Sequence, residues 1–206
     1  MKHILLAALC VLTAQLAAGQ VVRASSLAKP LQVPKPQAAA RRGMGPEYGS
    51  VRRVLDGDTY EVRLPAGLVR VRLREADAPE LSQPFGQQAA DSVMKLLRGR
   101  ILQVDRGGVD RYGRTLAGLR VAVQASSGAN RWLSVDSLLV VRGWAWAYEP
   151  DQTVPALAEL QQQAQRSLRG LWRCGVATPI RPGLWRAYNK QEKARAWVGC
   201  PGRRRE

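Results

Sequence analysis

Arg72-Leu73-Arg74-Glu75-Ala76-Asp77-Ala78-Pro79-Glu80 is the stretch around which the rest of the chain can be read. Ahead of and into it, Val69, Val71 and Leu73 alternate with Arg70, Arg72 and Arg74, the period of a strand with one apolar and one cationic face. Pro79 is expected to stop that strand, because its ring fixes φ and removes a backbone donor. Asp77 and Glu80 are then left on either side of Pro79, on a turn with little backbone freedom, which suits a site that must hold charges at set positions. A cationic strand ending in an ordinary turn would have the same local pattern, so the neighbouring segments decide.

Upstream, residues 51–55 and 60–64 are short strand-like runs around Asp56-Gly57-Asp58-Thr59, whose glycine closes a tight turn. Pro65-Ala66-Gly67 forms the next turn, and residues 68–74 are the third strand of a meander. Downstream, residues 87–97 carry a helical stripe of Ala89, Ala90, Val93, Leu96 and Leu97, stopped by Gly99. Residues 101–105 and 115–123 read as two further strands on either side of Asp110-Arg111-Tyr112-Gly113-Arg114. Residues 124–130 read as a polar loop, and residues 133–141 as a second helix ended by Gly143. Thr153 and Pro155 open a third helix, with Leu157, Leu160, Ala164 and Leu168 as its buried stripe before Gly170. Five strands and three helices make an α+β fold built on a small barrel. Residues 174–206 form a basic C-terminal extension rich in Arg, Pro and Trp.

The 206 residues suit one domain with extensions, and 46% apolar residues are ordinary for a folded chain. The charge is not ordinary: 32 Lys and Arg against 16 Asp and Glu give +16 and a pI near 11.0. Such an excess points to a polyanionic partner, nucleic acid or an anionic membrane surface, and the preponderance of arginine favours nucleic acid because its planar fork grips phosphate through two hydrogen bonds.

Met1-Lys2-His3, an apolar run over residues 4–18 and the small residues Ala17-Ala18-Gly19 read as a secretory signal peptide over residues 1–19, with a secreted or periplasmic product. The run is too short and too rich in alanine for a membrane span, so no stable membrane insertion is expected after its removal. Residues 20–47 read as a flexible Pro/Ala-rich linker, and the globular domain as residues 48–173. Cleavage after Gly19 lowers the charge from +16 to +15 and removes His3, the only histidine, and Cys10. Ser-His-Asp, Cys-His and zinc-histidine chemistry are then excluded in the mature chain. Acid, base and metal-binding roles fall to carboxylates and backbone oxygens, which suit a hard cation such as calcium or magnesium. Cys174 and Cys200 either join in one disulfide, the expectation in an oxidising compartment, or remain two thiols.

Asp56-Gly57-Asp58-Thr59, Arg72, Asp77-Ala78-Pro79-Glu80 and Asp110-Arg111-Tyr112-Gly113-Arg114 follow one another in an order and spacing that resemble the thermonuclease family, the staphylococcal-nuclease-like proteins. Val135-Asp136, Arg142-Gly143, Ala147-Tyr148 and Gly170-Leu171-Trp172 extend the resemblance, which covers about residues 48–173. It implies a five-stranded OB-type β-barrel with three α-helices, an SNase-like α+β fold. It also implies a calcium-dependent endonuclease acting on DNA and RNA as a monomer, with low sequence specificity, leaving 3′-phosphate ends.

Carried over by motif, Asp58 and Asp77 supply carboxylate oxygens to Ca2+ and Ala78 its backbone carbonyl. Glu80 is the general base toward water or its positioner; an unperturbed glutamate, with a pKa of about 4.3, is ionised at neutral pH. Arg72 and Arg114 clamp the scissile phosphate, as charge stabilisers more readily than as proton donors. Arg111 and Tyr112 face the substrate, Tyr112 donating to a terminal phosphate or stacking on a base, and Tyr148 stacks on a nucleotide. Asp56 reads as a turn former rather than a ligand. Arg70 and Arg74 read as solvated or phosphate-steering, and Trp132, Trp144, Trp146 and Trp172 as packing. Glu75 departs from the family's small or apolar residue, and either raises metal affinity or disturbs the site. The competing function is a non-catalytic OB-type domain that binds nucleic acid or another polyanion without cutting it.

Overall fold

The computed structural model describes residues 45–124, 130–148 and 154–196. The signal segment, most of the expected linker and Cys200 lie outside the described residues.

The meander forms as expected from strands β1 (Glu47–Asp56), β2 (Thr59–Leu64) and β3 (Gly67–Leu73). β2 and β3 pair antiparallel from Thr59 opposite Arg72 to Leu64 opposite Gly67. That register buries Tyr60, Val62, Leu64, Val71 and Leu73 on the inner face and leaves Arg63 and Arg70 outside. The third strand ends at Leu73, one residue before the expected boundary and well before Pro79. The chain leaves the barrel at Arg74-Glu75 and resumes as a two-residue strand, β4 (Ala76–Asp77).

Helix α1 (Gly86–Leu97) buries the expected stripe of Ala89, Ala90, Val93, Leu96 and Leu97. It leads to β5 (Leu102–Val109), which pairs with β1, and then to β6 (Thr115–Gln124). β6 runs parallel to β3, with Val71, Leu73 and Arg72 opposite Thr115, Ala117 and Leu116, and this pairing closes the barrel β3-β2-β1-β5-β6. Over those residues closure leaves neither β3 nor β6 with an open edge.

β7 (Asn130–Ser134) adds a sixth strand beside β6. The sequence suggested a polar loop up to residue 130 and a helix from residue 133. Instead, residues 131–133 pair with residues 121–123, and helix α2 (Val135–Val141) starts only after Ser134, whose Oγ accepts the Ser137 N–H at 3.2 Å. A second two-residue strand, β8 (Trp146–Ala147), pairs with β4.

Helix α3 (Pro155–Arg166) buries Leu157 and Ala164. Leu168, expected in its buried stripe, is instead 52% exposed, because the helix has ended and Leu168 turns off its axis with φ of 48°. A 3-10 turn follows at Gly170–Cys174, then two short helices, α4 (Pro182–Ala187) and α5 (Lys190–Ala196), in the stretch that the sequence left as an extension. Gly143 and Gly170 both have positive φ, and a Cβ on either would strike the other's neighbouring backbone.

Two apolar clusters result. The larger fills the barrel and the interface with α1 and α2, from Tyr60, Val71 and Leu119 to Val93 and Leu139. The smaller joins Trp146, Ala164, Leu171, Trp172 and Trp185. Trp146 and Trp172 meet edge to face with centroids 5.8 Å apart, the packing role expected of them.

Candidate active site

The turn between β1 and β2 is shaped by its first aspartate. Asp56 Oδ1 accepts the Asp58 N–H at 3.1 Å, the Asx turn expected of this residue. Burial raises its carboxyl above the ordinary range, against hydrogen bonds from Thr59 and the charges of Arg72 and Arg114. Tyr60 donates its hydroxyl to the Gly57 carbonyl at 2.7 Å, and burial keeps that phenol protonated. A Cβ on Gly57 would lie 2.5 Å from the Ala78 Cβ, so only glycine lets this turn pack on the segment that carries Asp77.

Asp58, 4% exposed, is fixed on three sides. Its Oδ1 accepts from Thr59 Oγ1 at 3.2 Å, and its Oδ2 accepts the Ala78 N–H and pairs with Arg72. The other arm of Arg72 reaches Asp77 Oδ1 at 2.6 Å. One guanidinium therefore bridges two buried carboxylates, one from the first turn and one from β4. Removing the guanidinium would leave two buried carboxylates without the cation they share.

Glu75, left open by the sequence, acts through its backbone. Its N–H donates to Asp136 Oδ1 at 3.0 Å and its carbonyl accepts the Tyr148 N–H at 2.9 Å. The side chain is exposed and does not line the cavity described below. Arg74 turns aside to Asp105 at 2.7 Å and covers Gly107 and Gly118, which places it in barrel packing.

The turn between β5 and β6 is organised by Asp110. Its carboxylate accepts the N–H groups of Tyr112 at 2.9 Å and Arg114 at 3.0 Å, and the Arg114 Nε at 2.7 Å. Burial, the largest single effect, pushes the carboxyl up, but the bonds to Arg114 and Tyr112 and the Arg114 charge together hold it below the usual range. Asp110 thus aims Arg114, whose Nη1 lies 3.4 Å from Thr59 Oγ1. Tyr112 is 66% exposed, with the Arg111 and Arg114 guanidiniums 4.9 and 5.3 Å from its ring centroid.

These parts surround a cavity of about 390 Å3. Asp56, Asp58, Asp77 and Glu80 line it with Arg70, Arg72, Arg111, Arg114 and Arg186, and Ala78 and Tyr112 complete the wall. All the site residues expected from sequence are there except Tyr148, which is 43% exposed and contributes its backbone to the Glu75 bridge. Arg186 is an addition. It pairs with Glu80 Oε1 from helix α4, and no local signal marks it among the many arginines of a basic tail. Arg181 from the same segment donates to the Ala147 carbonyl at 3.4 Å; burial lowers its pKa, and the charge of Asp77 acts against that shift.

The wall pairs cations with oxygen donors. No group of three or more acidic, His or Cys side chains among the described residues is gathered around one point. The donors available to a metal are the buried carboxylates of Asp58 and Asp77, and an all-oxygen set of this kind suits a hard divalent cation whose shell is completed by water and phosphate. Chemically, the arrangement can hold an anion between guanidiniums beside a carboxylate able to take a proton.

Residues 70–174 match the family described as Staphylococcal nuclease homologue. The chain is 41% identical over 139 residues to an uncharacterized endonuclease of Escherichia coli, spanning 68% of this chain and 84% of that protein. It is 36% identical over 144 residues to a micrococcal nuclease of Shigella flexneri, 69% and 82% of the respective chains. With a protein ParB of Escherichia coli it shares 34% identity over 175 residues, 84% and 94% of the two chains. The chain belongs to the staphylococcal nuclease homologues and is a nuclease, a hydrolase of phosphodiester bonds.

Proposed function

We propose that the protein is an exported, calcium-dependent endonuclease that cuts DNA and RNA with little sequence preference. The observation that carries this reading is that Arg72 and Arg114 share one cavity wall with Asp58, Asp77 and Glu80. Binding alone has no need of buried carboxylates in a site for a polyanion, since they repel it.

The chemistry follows from that wall. A phosphodiester seated there places its non-bridging oxygens against Arg72 and Arg114, whose guanidinium charge stabilises the charge that grows as water attacks phosphorus. Glu80 takes a proton from, or orients, that water. The new P–O bond forms as the bond to the leaving 5′-oxygen breaks, and a proton from solvent goes to that oxygen, so that a 3′-phosphate and a 5′-hydroxyl remain. Arg111 and Tyr112 contact the flanking nucleotide. Phosphate contacts dominate and carry no base information, hence the low specificity.

Nucleases of this family are generally metal-dependent. Asp58 and Asp77, with the Ala78 carbonyl, would hold the ion, and calcium fits their oxygen donors. When bound, it supplies positive charge to the phosphoryl oxygens. Export is supported by the apolar run of residues 4–18 and by Cys174, which is disulfide-bonded. Cys200 is the proposed partner. The nuclease is proposed to act as a monomer.

The test is incubation of the mature protein with plasmid and single-stranded DNA, in calcium and in chelator, beside Glu80→Gln. Calcium-dependent cutting that falls by about a hundredfold or more in Glu80→Gln is expected. Calcium-independent binding without cleavage would instead establish a polyanion-binding module.

A further inference from the structure

The segment that follows the family-matched residues grips the loop that carries Glu80. Helix α4 has only six residues, too few to be stable alone, yet its Trp185 is 5% exposed within the smaller apolar cluster. The indole N–H of Trp185 donates to Ser82 Oγ at 3.1 Å. Just ahead of the helix, the Ile180 carbonyl accepts from Gln83 Nε2 at 2.9 Å. Gln83 is 4% exposed, and its Oε1 accepts the Glu80 N–H at 2.7 Å. One buried amide thereby joins the extension to the backbone of Glu80. From the outer side of α4, Arg186 pairs with the Glu80 carboxylate itself. Below the loop, Gly86 leaves room for the Glu80 carbonyl, which a Cβ would strike.

We infer that residues 180–186 are a positioning element for Glu80, in which Arg186 orients the carboxylate and Gln83 fixes its backbone. The inference rests on Glu80 acting on the attacking water. Arg186 is 59% exposed at its side chain and Glu80 33%, so their pair contributes little to stability. Orientation is another matter, because misplacing a reacting group by about 1 Å can cost roughly a hundredfold in rate. The extension is therefore part of the catalytic apparatus rather than an appended tail.

Two other roles for Arg186 would leave different marks. A direct phosphate ligand would show in KM and would act whether or not Glu80 is present. A restraint that keeps the enzyme idle would, when removed, raise kcat.

The experiment measures kcat, KM and thermal unfolding for cleavage of single-stranded DNA by the full chain and by Arg186→Ala, Arg186→Lys, Glu80→Gln and the Arg186→Ala/Glu80→Gln pair. Arg186→Ala is expected to lower kcat about ten- to hundredfold with KM changed by less than about twofold and unfolding unchanged, Arg186→Lys to recover part of the loss, and the double variant to be no slower than Glu80→Gln. A kcat unchanged or raised by Arg186→Ala, a loss confined to KM, or an undiminished loss in the Glu80→Gln background overturns the inference. Full activity in Glu80→Gln is a separate result: it removes the role given to Glu80, and this inference with it.

Discussion

Asp136 shows how one buried carboxylate can serve the site without touching it. It is 2% exposed at the start of α2 and accepts the Glu75 N–H, so it fixes the point where the chain leaves the barrel for Asp77. Burial pushes its pKa from 3.8 up to about 6, with the backbone bond to Glu75 acting in the other direction. Between those values the folded chain holds a proton that the unfolded chain has lost. Its contribution to stability is therefore fully present below about pH 3.8 and is lost as pH rises through about 6. Chemical denaturation of the parent and Asp136→Asn at pH 4 and pH 7 should show the parent losing stability relative to the variant over that interval, by on the order of 2 kcal/mol. Parallel curves would refute the shift. The charge of Glu75 also pushes the Asp136 pKa up, while its peptide groups hold the segment in place; its side chain stays off the cavity wall, and a side-chain reading of the sequence could not find the peptide contacts.

Among the elements, the loop between β4 and α1 depends on packing that comes from far along the chain. Its own residues include Pro79 and Pro84, which limit the backbone but make no hydrogen bonds through their nitrogens. Trp185, Ile180 and Gln83 supply the missing partners, across sequence separations of 97 and 103 residues for the two hydrogen bonds. Replacing Trp185 by alanine should loosen this loop while leaving the closed barrel intact. Hydrogen exchange should then accelerate at the Gln83 and Gly86 amides, which bond to the Glu80 and Gln83 carbonyls at 2.8 and 2.9 Å, by about tenfold or more, with β2 and β3 unaffected. Equal acceleration in the barrel would mean that α4 stabilises the whole domain instead. The strands and long helices were legible because their period repeats over several turns or pairs. β4, β8 and α4 were not, because two to six residues carry no period and form only where a partner is already placed.

For the molecule as a whole, charge and closure act together. The +16 balance is strong enough to draw in a polyanion from a distance, while the wall of the cavity is mixed, with carboxylates interleaved among arginines. Capture should therefore depend on salt far more than the chemical step does. Raising salt from 50 to 200 mM should lower kcat/KM on single-stranded DNA by on the order of a hundredfold, the effect of about five phosphate contacts, with kcat nearly constant. A flat kcat/KM would show that the basic surface takes no part in substrate binding.

Taken by itself, the sequence determined the barrel strands, the three main helices and the four clusters of charged residues, since each is written in local alternation, helical stripes or turn residues. The Arg72 to Glu80 stretch was legible as a strand followed by paired carboxylates around a proline. Tertiary structure decided the rest. Closure of β3 on β6 brought the Asp56 turn, Asp77 and the Asp110 turn to one wall, and only there do Asp58 and Asp77 meet on Arg72. Arg186 reached Glu80 from 106 residues away because Trp185 found an apolar cluster to fill. Such contacts depend on distance in space, which a pattern confined to neighbours along the chain does not encode.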